Sequence, residues 1–545
     1  MSPAGSSPAL PRAWSRGLLL LAMLTAGGVY LYLGRETAPF FDEWSWITGR
    51  RDWTATALLD DHNGHLSLVP ALIHKVAYSA LGFEGHTLLR VLTVACHLLI
   101  GLLVYRFVAQ RQDEPIALLG AILILGLGAG SIDVIWPFQL SFLLSVAGGV
   151  LALHALESSS ARAPLVVAGG LLLAIASSGL GVVFVAGLLA SAAWRRDRAT
   201  LLAVAAPLAL YVAWYLAFAR DASEATTANL PLVGDFAATM AAAAAGGLAG
   251  LDLEFGRVLI ILAAAGVASI IVRGLTPSPT AIAAMTAFGA LLALTALSRA
   301  QFAEPAAPRY VYPGAVLLLL SGSALLVGRR AGRRAWAVGA ALTAFAVLAG
   351  LGDLRNTGRA QREAASTLRA QLAAYEVLPT PPAPEFVPAP SVAPQLSAAG
   401  YRGALDAYGP FLDDVEETLG AALSADRAAA DDTLLRLGAV VTGAPPRGSS
   451  TRFSAPEIVN GRAARGNDRC LVVRAGAVEV HLPPGSTLQV TPQQTTDISF
   501  RRFGDAFIGA RPLPAATIAV TPASDRAERP WMVRIGGGRP KLCLS

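Results

Sequence analysis

Apolar stretches recur through the first two thirds of this chain, each close to the about 20 residues a helix needs to cross a bilayer. They constrain its fold more than any other feature. They cover Gly17–Leu33, Thr87–Val108, Pro115–Gly130, Leu140–Leu156, a tight pair around Ser177–Gly181, Leu201–Phe218, Val258–Val272, Ala281–Leu297, Val311–Val327 and Ala335–Leu351. The hydrocarbon core offers no water to backbone groups, so such stretches must form helices. Composition agrees: of 545 residues, 54% are hydrophobic and only 15% charged, where a soluble domain carries about a quarter charged residues. The expected fold is a polytopic α-helical membrane domain of about eleven spans, followed by a C-terminal β-sandwich outside the cytoplasm.

Charge sets the orientation. Arg12 and Arg16 precede the first span, which is longer than a signal core and reads as uncleaved, with its N-terminus inside. Arg106, Arg111, Arg162, Arg195, Arg196 and Arg198 mark cytoplasmic turns. Phe236–Gly250 is apolar but short. If it crossed fully, Arg329, Arg330, Arg333 and Arg334 would fall outside, against the positive-inside bias, so it reads as a half-helix or re-entrant piece. The odd number of spans puts the C-terminal part outside a multi-pass protein of the cell's inner (plasma) membrane. The net charge of +6 belongs to cytoplasmic loops and does not indicate nucleic-acid binding.

Residues 1–16 thus form a cytoplasmic N-terminus and 17–352 the membrane domain. Residues 353–450 are helical, with a semi-rigid Pro-rich linker over Pro379–Pro394. Residues 451–545 carry short alternating runs, Cys470–Arg474, Val478–Leu482, Thr487–Thr491, Asp497–Arg501, Thr517–Thr521 and Trp531–Ile535, between Gly, Pro, Asn and Asp turns. Cys470 and Cys543 are either a disulfide closing this region or two free thiols. Cys96, inside a span, is a packing residue.

The residues able to carry chemistry sit at expected external edges. Asp42 and Glu43 follow the first span within Ala38–Trp46, flanked by interfacial aromatics. Acids at that boundary are costly, which makes Asp42 a candidate general base, with Glu43 a partner or sugar-hydroxyl acceptor. The alternative is helix capping or a salt bridge. Asp60, Asp61, His62 and His65 form a second polar cluster, readable as a substrate contact, as a divalent-metal site, or as a cap for an amphipathic surface helix over His65–Leu81. No metal motif matches the spacing, and no cofactor is expected. Arg299, Arg309 and Tyr310, with Lys75, suit a lipid-linked phosphate; snorkelling or pairing with Glu304 is the structural alternative. Trp136 and Gln139, beside Asp133, could hold a sugar ring or simply anchor the interface.

Phe41-Asp42-Glu43-Trp44, the surface helix after Asp61-His62-Asn63-Gly64-His65, and Arg309-Tyr310 together resemble the GT-C class of polyprenyl-phosphate-sugar-dependent glycosyltransferases. The layout is similar to that of the actinobacterial arabinofuranosyltransferases of cell-wall assembly. The resemblance covers the first two thirds of the chain. It implies a lateral lipid groove, an inverting transfer from a polyprenyl-phosphate sugar to an extracytoplasmic glycan, lipid or protein acceptor, Asp42 as base, and a carbohydrate-binding role for the C-terminal sandwich. Asp60 or Asp61 is the alternative base. A lipid-linked sugar flippase, or a polymerase or ligase using a diphosphate donor, are the competing functions.

Overall fold

The computed structural model describes residues 12–220, 226–274, 276–327, 332–379, 383–445, 453–466, 469–527 and 529–545. Residues 1–11 of the expected cytoplasmic N-terminus, Arg329 and Arg330, and part of the Pro-rich linker lie outside them. The chain divides into a helical unit, residues 1–36 and 50–361, and a C-terminal unit, residues 37–49 and 362–545. The segment Thr37–Gly49, expected within the membrane domain, belongs by its contacts to the C-terminal unit.

In chain order the first helices are α1 (Arg12–Leu33), α2 (Glu43–Gly49), α3 (Ala55–Leu59), α4 (Leu68–Leu81), α5 (Gly85–Ala109), α6 (Glu114–Leu125), α7 (Ile132–Ile135), α8 (Leu140–Ala155), α9 (Ala163–Ser177) and α10 (Gly181–Arg195). They continue as α11 (Arg198–Trp214), α12 (Val233–Ala249), α13 (Leu253–Val272), α14 (Pro279–Arg299), α15 (Pro308–Leu325) and α16 (Arg333–Val377), which runs across the boundary between the units. Among the described residues eight helices are long and apolar enough to cross a membrane. Three further apolar helices, α6, α9 and α10, are shorter. Their surfaces require lipid: Leu202 is 73% exposed, Ile261 67% and Val272 86%, and α13 buries only Gly256. A helix apolar all round with no protein cover is stable only in hydrocarbon.

Small residues let the helices approach closely, as expected where lipid supplies no hydrophobic drive. Gly148 of α8 and Gly170 of α9 face each other so tightly that a Cβ on either would lie 2.5 Å and 2.7 Å from the other's carbonyl oxygen. Between them and their neighbours lies a core that includes Phe107, Val150, Leu171, Phe184 and Leu188, all fully buried.

The bundle has two distinct ends. At one, Arg16 bonds Glu114, Arg111 bonds Glu157 at 2.8 Å and Thr280 at 3.3 Å, and Gln112 reaches Ser323 and Leu326. This basic end gathers the start of α1, α6 and α14 and the finish of α5, α8 and α15. The other end holds the α14–α15 turn. Both ends of α12 lie toward that turn: Asn229, just before it, donates to the Leu297 carbonyl at 2.8 Å, and Gly247, near its finish, packs on Val311. With the turn before it, this Ala- and Gly-rich helix is one of the eight membrane-length helices.

In the C-terminal unit α17 (Ala398–Tyr408), α18 (Val415–Ala421) and α19 (Ser424–Arg436) precede the strands. These are β1 (Val440–Gly443), β2 (Ile458–Arg465), β3 (Leu471–Leu482), β4 (Leu488–Thr491), β5 (Thr496–Arg501), β6 (Ile508–Leu513), β7 (Ile518–Pro522), β8 (Trp531–Gly536) and β9 (Lys541–Leu544). They form one curled antiparallel sheet, ordered β1-β7-β4-β9-β3-β8-β5-β6 with β2 added on β3. This corrects the expected two-sheet sandwich. The cause is β3, which merges two of the runs read separately. It pairs with β9 at Leu471–Val472 and with β8 over Ala477–Leu482, so the halves stay hydrogen-bonded to each other. Period-two alternation fills the core with Val478, Val480, Leu482, Trp531, Val533 and Ile535, all fully buried. Cys470 and Cys543 form a disulfide, joining the start of β3 to β9.

Candidate functional site

The polar cluster after α3 is a two-residue hairpin. His62 and His65 exchange both backbone hydrogen bonds, at 3.1 and 3.0 Å. Asn63 and Gly64 take φ of 52° and 74°, the left-handed pair a type I′ turn demands and an Asn-Gly dipeptide supplies. Asp61 braces it: Oδ2 accepts from the Gly64 N–H at 2.9 Å. Thr54 caps α3, and Trp214 of α11 donates to the Leu59 carbonyl at 2.7 Å.

Two cations lock the incoming chain. Arg50, buried, donates to the Asp60 carbonyl at 2.8 Å. Lys75 Nζ donates to the carbonyls of Arg50 and Arg51 at 2.8 and 2.6 Å and lies over the Trp53 ring. Lys75, a phosphate candidate in the sequence, is here held by two backbone carbonyls. The reason is the polarity of α4, whose face with His74 and Lys75 is buried while Leu72 and Val76 are exposed. It is amphipathic with its polar side turned into protein.

His65 and His62 face different neighbours. His65 packs on Gly179 at the α9–α10 turn, where an added Cβ would lie 2.3 Å from Nδ1. Burial, then the Arg299 charge, pulls its pKa down to about 4, with Asp61 opposing. His62 lies edge-on to Phe138 at 5.3 Å; burial, then Arg50 and His65, lowers it to about 4. Both imidazoles are therefore neutral at pH 7. His65 is thus an imidazole on which two charges act, the Asp61 carboxylate of the same hairpin and the Arg299 guanidinium at the end of α14. Asp60 is exposed beside them.

Arg309 forms an ion pair with Glu304 at 3.5 Å and lies 5.0 Å from the Tyr310 ring centre. Below it is a residue given no role by sequence reasoning. Asp133 on α7 is fully buried, and neither carboxylate oxygen has a hydrogen-bond partner among the described residues. Burial raises its pKa well above the carboxylate range, with Arg309 opposing. A buried acid without donors is held neutral. The available signal was an acid inside the apolar run Ile132–Phe138.

Trp136 is buried and stacked on Phe138 with ring centres 5.1 Å apart, and Gln139 and Tyr310 are buried too. Trp136, which in sequence could hold a sugar ring or anchor the interface, is packed in an aromatic stack. Among the described residues no group of three or more His, Cys, Asp or Glu gathers to hold a metal. At the same bundle end, between α1 and α16, lies a largely apolar groove of about 330 Å³ walled by Val29, Leu33, Leu351 and Leu354, with Tyr32 and Arg355 beside them.

Asp42 and Glu43 belong to the other unit. Glu43 is fully buried, and its Oε2 accepts from the Phe40 N–H at 3.1 Å, closing the start of α2. Asp42 Oδ1 accepts from Gln395 at 3.0 Å. Trp44, fully buried, bonds the Pro39 carbonyl at 3.0 Å and meets Tyr401 and Phe411 edge-on. The segment packs as an aromatic plug against α17.

No family model matches this chain, and no curated protein matches it in sequence.

Proposed function

We propose that the protein is a membrane glycosyltransferase of the GT-C type. It takes a glycosyl unit from a polyprenyl-phosphate donor and passes it, with inversion, to a hydroxyl of an extracytoplasmic glycan, lipid or protein of the cell envelope. The observation that carries this reading is neutral His65 at the less basic end of an apolar bundle, packed on Gly179 and acted on by the charges of both Asp61 and Arg299. The reaction needs a base beside the incoming hydroxyl and a cation beside the departing phosphate. Asp61 takes the acceptor proton as its oxygen bonds the anomeric carbon. The bond from that carbon to the donor phosphate breaks, and polyprenyl phosphate leaves. Arg299 meets the charge that develops on the phosphate, and neutral His65 donates one hydrogen bond. The groove between α1 and α16 takes part of the polyprenyl chain. We read eleven spans, with α12 crossing only part of the bilayer, so that the basic end is cytoplasmic and the C-terminal unit external, where its sheet binds glycan. Asp42, the base implied by family resemblance, becomes the alternative.

A second reading, a flippase for lipid-linked sugars, draws on Asp133 and His97, ionisable groups fully buried in the helical unit, as transport pathways often are. One experiment separates them. Purified protein in nanodiscs is given a panel of synthetic polyprenyl-phosphate sugars and acceptors, alongside Asp61→Asn, Asp60→Asn and Asp42→Asn. Transfer by wild type that is lost only in Asp61→Asn supports the assignment. Loss only in Asp42→Asn keeps the class and moves the base. No transfer, with lipid-linked sugar crossing vesicles, replaces the enzyme by the flippase.

A further inference from the structure

A second cavity, of about 580 Å³, opens at the basic end of the bundle among α1, α5, α6 and α8. We propose that it binds the anionic phosphate headgroup of a membrane lipid. Arg16 and Arg106 contribute guanidinium groups to its wall, Gln110 and His154 contribute neutral polar groups, and Leu19 and Leu102 line it with hydrocarbon. Its size falls in the range of about 300–1,000 Å³ typical of small-molecule sites.

The polar groups are organised. Glu114 pairs with Arg16 at 3.3 Å and Arg12 at 3.6 Å and accepts from the Tyr105 hydroxyl at 3.1 Å. This single carboxylate orients cations without cancelling them, because three arginines meet one acid. Gln110 bonds His154 Nε2 at 3.3 Å, while the other imidazole nitrogen is buried with no partner among the described residues. A phosphate oxyanion is the ligand that two guanidinium groups beside the Gln110 amide recognise.

The source is a lipid because hydrocarbon continues from the cavity. Leu20, Leu21 and Leu24 of α1 are all more than half exposed, and they lead away from Arg16 along the surface that acyl chains cover. Soluble phosphate would meet the arginines but make no use of the half-buried Leu102 or of the exposed leucines of α1. Basic pockets between membrane helices suit anionic lipids, each Arg or Lys near the surface adding about 1 kcal/mol. None of these residues takes part in the proposed transfer.

The test uses the full chain in detergent, with bound lipid counted by native mass spectrometry. Phosphatidylglycerol is expected to bind at least roughly tenfold better than phosphatidylcholine. Combining Arg16→Gln with Arg106→Gln removes that preference. Leu102→Trp, which fills the cavity and keeps both arginines, removes it as well and decides the matter if the arginine variant fails to fold. Equal phosphatidylglycerol binding by wild type and Leu102→Trp overturns the proposal. So does displacement of the lipid by millimolar inorganic phosphate, which would mark a site for a soluble anion.

Discussion

Ala38–Trp46 and Asp60–His65 look alike as sequence. Both follow the first span closely, both carry adjacent acids, and both are rich in rings. They end in different units. The first builds an aromatic plug around Trp44, with Glu43 buried to close a helix start. The second stays with the membrane helices as a hairpin whose imidazole, His65, feels the charges of Asp61 and Arg299. The difference teaches that an acid at a membrane edge is informative only through its neighbours. Glu43 closes the start of its own helix, whereas Asp61 both braces the hairpin turn and lies beside an imidazole that also feels the Arg299 charge.

The sharpest way to break this comparison is to neutralise each acid. Asp61→Asn keeps an oxygen to accept the Gly64 N–H, so the turn survives while the base is lost. Transfer should fall by about 10²–10⁴. Asp42→Asn should stay within about threefold of wild type, because an amide in its place still accepts from Gln395. Rates for both variants, measured under saturating donor, check the pair; the reverse pattern returns the base to Asp42.

Removing the ring of the plug should cost stability instead of rate. Trp44→Ala deletes a fully buried side chain and its bond to Pro39, a change of about 3–5 kcal/mol. Amide exchange in the intact chain should rise across Ala398–Tyr408 and stay unchanged in α5. Equal loosening of both would mean that the plug does not belong to the C-terminal unit alone.

Much of this was legible in the sequence. Hydropathy locates the membrane helices because lipid forces every backbone group into a helix. The Ala- and Gly-rich run, read as a half-helix or re-entrant piece, is helix α12, and with the turn before it is long enough to cross a membrane. Alternation exposed β4, β5, β7 and β8, but β2 and β6 are solvated over most of their length and show no period. The Asn63-Gly64 dipeptide is a turn signal, but the cluster around it reads in sequence as a substrate contact, a metal site or a cap, not as a hairpin. Other features were not readable. The hydrogen bond that fixes Asp42 comes from a residue 353 positions away, and no local pattern announces so distant a partner. The inward polarity of α4 depends on carbonyls at Arg50 and Arg51 that only the fold brings to Lys75.

Acid should separate the two regions again. His62 and His65 have folded pKa values near 4 against about 6.5 unfolded. Between those values the unfolded chain binds more protons, so stability is full above about pH 7 and falls as pH drops through 6.5 toward 4. The loss is on the order of 3 kcal/mol per histidine at the lower limit. Thermal melting of the helical unit from pH 7.5 to 4.5 should show it, and His62→Phe with His65→Gln should flatten the slope. A slope unchanged in that variant would mean that the imidazoles are already charged in the folded protein.

The smallest effect tests the turn itself. Gly64 sits at φ 74°, where a Cβ costs about 1 kcal/mol. Asn63 sits at φ 52°, where glycine is equally at ease. Gly64→Ala should therefore lower stability by about 1 kcal/mol and, by shifting His65 against Arg299, slow transfer a few-fold. Asn63→Gly should change stability by only a few tenths of a kcal/mol, because the residue it replaces already tolerates the left-handed region. Both are read by melting temperature and initial rate in the same preparation. Equal losses from the two substitutions would show that His62 and His65 are held by something other than the turn between them, and the register that sets His65 beside Arg299 would need another source.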